Sequence, residues 1–236
     1  MEETNAKETP ARKKSVGQMS ESFLTVAFLS LSGGLQDAYT YFSRGKVFAN
    51  AQTGNVILLS QGIFEQDGAT IVRYLIPLLS FAFGVAACEG IRSLFSNRGF
   101  LHWRQVVLIA EIALLFAVSF LPDTLDVLAN ALVSFSCAMQ VQAFRKVEGH
   151  PFASTMCIGN LRSGVDALCS FARIGKKSEL RKAFCYFALI VLFGLGAGIG
   201  GSLIAAFGFR TIWISCLLLL IAFGLMFFGK GKKEKR

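Results

Sequence analysis

Two short polar stretches hold the side chains of this chain best suited to bind a ligand. The first, ANAQTGNVILLSQGIF (49–64), is apolar enough to enter a bilayer yet carries Asn50, Gln52, Thr53 and Asn55 in its first half. The second, ASTMCIGNLRSGVDALCSFA (153–172), follows Phe152, repeats the Gly54–Asn55 pair as Gly159–Asn160, and adds Arg162 and Asp166. Thr53, Gly54 and Asn55 place a hydroxyl, an approachable backbone and a carboxamide within one helical turn. A helix starting there would turn its unpaired N–H groups and the positive end of its dipole toward an anion or a polar acceptor. The packing alternative gives Gly54 close helix contact and Asn55 an interhelical bridge. Short, polar, glycine-interrupted segments at matching places in two halves of a membrane chain point to a solute site near the midplane.

Further polar positions join this set. Asp37 follows Gln36 near the outer end of the first apolar run. A carboxylate in hydrocarbon is costly, so Asp37 either faces a cavity as a proton or cation site or pairs with Arg44 or Lys46 at headgroup level. Gln140 stands where the first half has Gln36, and serves the site or bonds between helices. Arg162 and Asp166 can pair along one helix face; the sharper reading gives Arg162 an anionic solute to hold through its planar fork of donors. Glu89 and Glu111 are expected at the cytoplasmic ends of their spans, snorkelling to Arg92 or Arg104, with proton relay the minor alternative. The candidate substrate-binding set is thus Gln36, Asp37, Thr53, Gly54, Asn55, Gln140, Gly159, Asn160 and Arg162.

Membrane spans must position these residues. Of 236 residues 53% are hydrophobic and 17% charged, where an ordinary soluble domain is about 25% charged. Runs at 22–42, 71–91, 105–121, 125–144, 183–207 and 211–229 each suit a spanning helix of roughly 20 residues. The expected fold is an all-α integral membrane protein with six full transmembrane helices and two short re-entrant or broken helices. Residues 1–19 read as a disordered cytoplasmic extension, 20–229 as one membrane domain and 230–236 as a basic cytoplasmic tail. The first run is no cleavable signal, being too long and interrupted by Gly33–Gly34 and Gln36–Asp37.

Charge decides how the polar stretches run. If each dips in and returns to the same face, only Arg44, Lys46, Arg73 and Arg210 lie outside; if both cross, twice as many do. The positive-inside rule favours the first path and puts both termini in the cytoplasm of a bacterial inner membrane. Three spans then precede residue 122 and three follow, so repeats at about 20–121 and 122–229 run in opposite directions, an inverted 3+3 repeat. Gly34-Leu35-Gln36 matches Ala138-Met139-Gln140, and Phe83–Gly84 with Gly90 matches Phe193–Gly194 with Gly200.

The segment GGLQDAYTYFSRGKVFANAQTGNVILL (33–59) resembles the YoaK-type bacterial membrane proteins, a family of unknown function. The resemblance lies in Gly34, Asp37–Ala38, Val47–Phe48 and Thr53-Gly54-Asn55, and in Met139–Gln140 and Gly159 of a second block. Where that block usually has Thr-Gly, this chain has Ile158–Gly159. The resemblance spans about 20 to 229 and implies a multi-spanning inner-membrane protein that moves small solutes, without naming one.

Other classes find little support. The net charge of +9 comes from basic residues at the ends and in loops, including the tail GKGKKEKR, which suits anionic lipid headgroups and not nucleic acid. The six cysteines lack ligand spacing, and His102 and His150 each stand alone in basic loops, so no metal and no bound cofactor are expected. Gly196, Gly198 and Gly201 spell G-x-G-x-x-G inside an apolar run, without the strand and acidic residue of a nucleotide site; the pattern reads as helix packing through Gly196 with Gly200 and Ala197 with Gly201. No nucleophile and base pair, zinc-protease or phosphate-loop motif occurs, and an enzyme is not expected. The function expected is a secondary transporter or facilitator of a small polar or anionic solute, working by alternating access, with membrane lipids as neighbours and a homo-oligomer compatible. The alternatives are a non-transporting membrane scaffold or lipid-interacting protein and, more remotely, an intramembrane enzyme using Asp37, Glu111 or Asp166.

Overall fold

Apolar runs separated by glycine, proline and charged turns fold, in a computed structural model, into an almost wholly helical chain. The structure describes residues 19–95, 102–152 and 154–231, so the extension before Met19, the middle of the loop 92–104, Ala153 and the end of the basic tail lie outside the described residues. Among the described residues there are eight α-helices: α1 (Phe23–Ser43), α2 (Gln52–Phe64), α3 (Gly68–Phe95), α4 (Trp103–Val118), α5 (Asp126–Ala143), α6 (Cys157–Ile174), α7 (Lys177–Phe207) and α8 (Ile212–Gly231). Three stretches are long and apolar enough to cross a membrane: Gly68–Phe95, Asp123–Ala143 and Lys177–Phe227. The last holds α7 and α8, divided at Gly208, whose φ of 53° ends α7. Helix α2, with 13 residues, is about 20 Å long at 1.5 Å per residue and falls short of a hydrocarbon core about 30 Å thick.

Local signals set the helix ends. Ser22 caps α1 by accepting the Thr25 N–H at 3.3 Å. Asp67 accepts the N–H groups of Ala69 and Thr70 at the start of α3 and the Thr70 hydroxyl, contacts that hold its carboxyl below the usual range. Gly175, at φ 70°, closes α6 with its N–H on the Phe171 carbonyl.

Helices α1 and α5 cross antiparallel at the heart of the bundle. Asn130 donates to the Arg44 carbonyl, the Cys137 thiol to Gln36, and Gln140 to the Leu29 carbonyl, so rising numbers on one helix meet falling numbers on the other. Helix α7 runs alongside α1 in the same direction and α3 alongside α5. Helix α8 packs on α1 and α4, α4 on α5, α2 on α3 and α6 on α7. Exchanging α1–α4 with α5–α8 leaves this pattern of neighbours unchanged.

The buried positions correspond as well. Tyr74, Pro77, Gly84 and Cys88 of α3 stand 112 positions before Tyr186, Leu189, Gly196 and Gly200 of α7, all buried. Asn55 and Gly62 of α2 stand 105 before Asn160 and Ala167 of α6. Leu108, Glu111, Leu115 and Val118 of α4 stand 104 before Ile212, Ser215, Leu219 and Ala222 of α8. The expected match of Gly84 with Gly194 is off by two residues. Gly194 is open and Gly196 is the glycine pressed on α1, because only a contact without a side chain fixes the register.

Both ends of the crossing are pinned by arginine. Fully buried Arg44 donates to the carbonyls of Val118, Leu121 and Pro122, to Asp126 at 3.1 Å and to the Tyr39 hydroxyl, with Phe209 against its guanidinium. At the opposite end Arg104 joins Ser20 and Glu21 to the Ala143 carbonyl. Facing outward are apolar residues such as Phe64, Leu79, Phe83, Phe184, Val191 and Leu217, a surface suited to lipid.

A Cβ on Gly84 would lie 2.3 Å from the Phe135 carbonyl oxygen, one on Gly196 2.0 Å from that of Leu31, and one on Gly194 near nothing. Backbone cannot swing aside as a side chain can. Gly84→Val and Gly196→Val should each destabilise the protein by at least the ~1–3 kcal/mol of ordinary overpacking, and Gly194→Val should not. Thermal unfolding in detergent checks this.

Candidate functional site

The chain between α1 and α2 does not leave the bundle. After Arg44 it turns back along α1, and Val47, Ala49 and Asn50 are buried. The Asn50 N–H donates to the Asp37 carboxylate at 2.7 Å, with weaker contacts from the amides of Ala49 and Ala51, and the Asn50 carboxamide donates to the Gly33 carbonyl at 3.3 Å. Asp37 therefore holds the turn that leads into α2, next to the helix amino end that a solute anion was expected to face. It pairs with neither Arg44, which is engaged by Asp126, nor Lys46.

Asn55 builds this turn. Its carboxamide accepts the Phe48 N–H at 3.1 Å and donates to the Phe48 carbonyl at 2.6 Å and to Gln52 at 2.9 Å. Asn55, expected among the substrate-binding residues, is here engaged by its own turn. Gly54 lets the Phe48 ring lie close, 3.1 Å from where a Cβ would be, and Thr53 is exposed.

The second half repeats the manoeuvre from the other end of α1. Beyond α5 the short strands β1 (Lys146–Val147) and β2 (His150–Pro151) make a hairpin, and the chain then turns inward through buried Ser154 and Thr155 to α6. Gln140 donates to Ser154 at 3.0 Å and to the Leu29 carbonyl at 3.3 Å. The Thr155 methyl lies 2.5 Å from where a Cβ of Gly33 would be. The two inward turns thus meet on one glycine of α1. The meeting residues are Asn50 and Thr155, a few positions before the Gly54–Asn55 and Gly159–Asn160 pairs expected there. Around them the Asn50 Oδ1, Gln140 Oε1 and Thr155 Oγ1 atoms are buried without a hydrogen-bond partner among the described residues.

On α6 the expected residues separate. Asn160 is buried, Gly159 is open, and Arg162 lies exposed on the other side of the helix, as residues two apart must at 3.6 per turn. Arg162 and Asp166 form no ion pair with each other. Arg162 therefore does not join Asn160, and the expected site splits.

Gln36, expected in the solute site, instead joins a buried cluster with Glu111, which was expected beside Arg92 or Arg104. Its side-chain amide donates to Ser32 at 2.9 Å, to Glu111 at 3.1 Å and to Ser215 at 3.1 Å, and its oxygen accepts the Cys137 thiol. Glu111 is fully buried among α1, α4, α5 and α8, away from Arg92 and Arg104. The signal was present, since Glu111 falls on the same helical stripe as Leu108, Leu115 and Val118. Glu89 does pair with Arg92 near the surface, as expected of it, and it also pairs with Arg145 and accepts from Gln142.

Eight helices with lipid-suited faces around a polar crossing make this an α-helical membrane protein. The chain belongs to the family described as "Protein of unknown function (DUF1275)", whose model matches residues 25–225. It is 27% identical over 216 residues to the UPF0700 transmembrane protein YoaK of Bacillus subtilis (strain 168), covering 88% of this chain and 93% of that protein. No solved structure matches it.

Asn55→Ala strands the Phe48 amide and carbonyl, and each unsatisfied buried group costs about 1–3 kcal/mol. Its unfolding temperature should fall and proteolysis in the turn 44–51 should rise, while Thr53→Ala should change neither.

Proposed function

We propose that the chain is a secondary transporter or facilitator that moves a small polar solute by alternating access. In this reading α1, α3, α4, α5, α7 and α8 are full spans, and α2 and α6 are re-entrant helices entering from opposite faces. The two halves form an inverted repeat whose rocking exposes the crossing to each side in turn. The matched burial and the antiparallel α1 and α5 support the repeat, and the distribution of basic residues supports cytoplasmic termini.

The observation that carries the reading is the convergence of two inward turns on Gly33, with Asn50, Gln140 and Thr155 each offering a buried polar atom without a partner. Broken backbone at membrane depth is tolerated where it is buried in protein or lines a cavity, and here it is arranged in duplicate about one point. Of the solute classes the sequence allows, a polar one with hydrogen-bond donors fits better than an anion. Asp37 already sets an acid against the turn that leads into α2, and the unpaired carboxamide atoms are acceptors.

A scaffold reading has its own support, because Gln36, Asp37 and Asn55 are bonded within the protein and would act as glue. A thermal-shift screen of detergent-purified protein separates the two. The probes are amino acids, polyols, ammonium and amines, carboxylates and inorganic anions. A probe at 100 times its Kd should raise stability by about 2.7 kcal/mol. Asn50→Ala and Thr155→Val should weaken that gain, and Arg162→Ala should leave it. If no probe stabilises the protein and the variants alter only its basal unfolding temperature, the scaffold reading replaces this one.

A further inference from the structure

Glu111 is used by neither the turns nor the solute reading, yet it is the most deeply placed acid of the bundle. Its side chain is fully buried. One carboxyl oxygen accepts from Gln36 and the other has no hydrogen-bond partner among the described residues. The titratable groups facing it are Cys137 of α5 and Cys216 of α8, with Asp37 beyond Cys137. No Arg, Lys or His among the described residues pairs with it. An unpaired carboxylate in such a place loses its hydration without compensation, whereas a neutral acid does not.

A polar track leads from this acid to one end of the bundle. On α1, Gln36, Thr40 and Arg44 are buried four residues apart, and on the facing side of α5 Cys137, Ser134 and Asn130 are buried at spacings of three and four. Ser134 Oγ and Asn130 Oδ1 are both buried without partners among the described residues. The track opens into a cavity of about 230 Å³ lined by Arg44, Arg73, Asp123, Asp126 and Asn130. We propose that Glu111 is a proton-binding site that carries its proton in the state described and exchanges it with water entering from that cavity along the unpartnered polar atoms of Asn130 and Ser134. The site rests on the bundle geometry alone, so an empty ligand screen leaves it standing.

Infrared spectroscopy of the full-length protein in liposomes tests it. At neutral pH the wild type should show the carbonyl stretch of a protonated carboxyl group. The isosteric Glu111→Gln should abolish that band, Glu111→Asp should displace it, and Asp37→Asn should leave it. After a jump to alkaline pH, Ser134→Ala, which removes a polar group that water along this path would bond, should slow loss of the band by about tenfold, equivalent to about 1.4 kcal/mol in the barrier. Absence of the band in the wild type, or its persistence in Glu111→Gln, overturns the site. An unchanged release rate in Ser134→Ala overturns the path.

Discussion

Backbone amides and carbonyls cannot be left unpaired in hydrocarbon, and that constraint governs the centre of this molecule. Two connecting segments leave their helices and turn back into the bundle, and each must be met by protein. Asp37 answers for the first by accepting the Asn50 N–H, and Asn55 answers for the same turn from the other side by bonding both backbone groups of Phe48. In the second half Gln140 ties the turn to α1 instead, donating to Ser154 and to the Leu29 carbonyl. These side chains are expensive to bury, and their presence is intelligible because the turns could not otherwise exist there.

Close approach makes the turns possible. Gly34 and Gly196 bring α1 and α7 together, and Gly84 does so for α3 and α5. With those pairs tight and the arginines fixed at opposite ends, the antiparallel crossing of α1 and α5 is the seam about which the two halves correspond. In the proposed mechanism that seam is where rocking occurs. Its polar contents, the Gln36 cluster on one side and the Asn50 and Thr155 turns on the other, are the groups that would exchange partners.

Much of the helical architecture was legible, because apolar runs with glycine and charged boundaries announce helices regardless of what they pack on. The polar stretches were legible too, since Asn and Gln in such a run have few uses. Their roles were less so. Asn55 and Arg162 belong to the right segments, but only three-dimensional packing shows that one faces its own turn and the other faces away. Glu111 was misplaced because nearness to a basic loop in sequence outweighed its position on the stripe of Leu108 and Leu115. The glycine register failed by two residues for a similar reason: membrane helices are rich in small residues, and sequence cannot say which of them bears a backbone contact.

Alternating access of this kind requires α2 and α6 to return to the faces they enter from, and the direct measurement is the sidedness of the turns around them. Single cysteines at Gly68, Pro122, Gly149 and Gly175 in a cysteine-free background, labelled in intact cells with a membrane-impermeant thiol reagent, report it. Re-entrant helices predict labelling at Gly68 and Pro122 and protection at Gly149 and Gly175 until the cells are opened. Protection at Gly68 and Pro122 with labelling at Gly149 would mean that both segments cross the membrane, and would contradict the inverted repeat and the mechanism built on it.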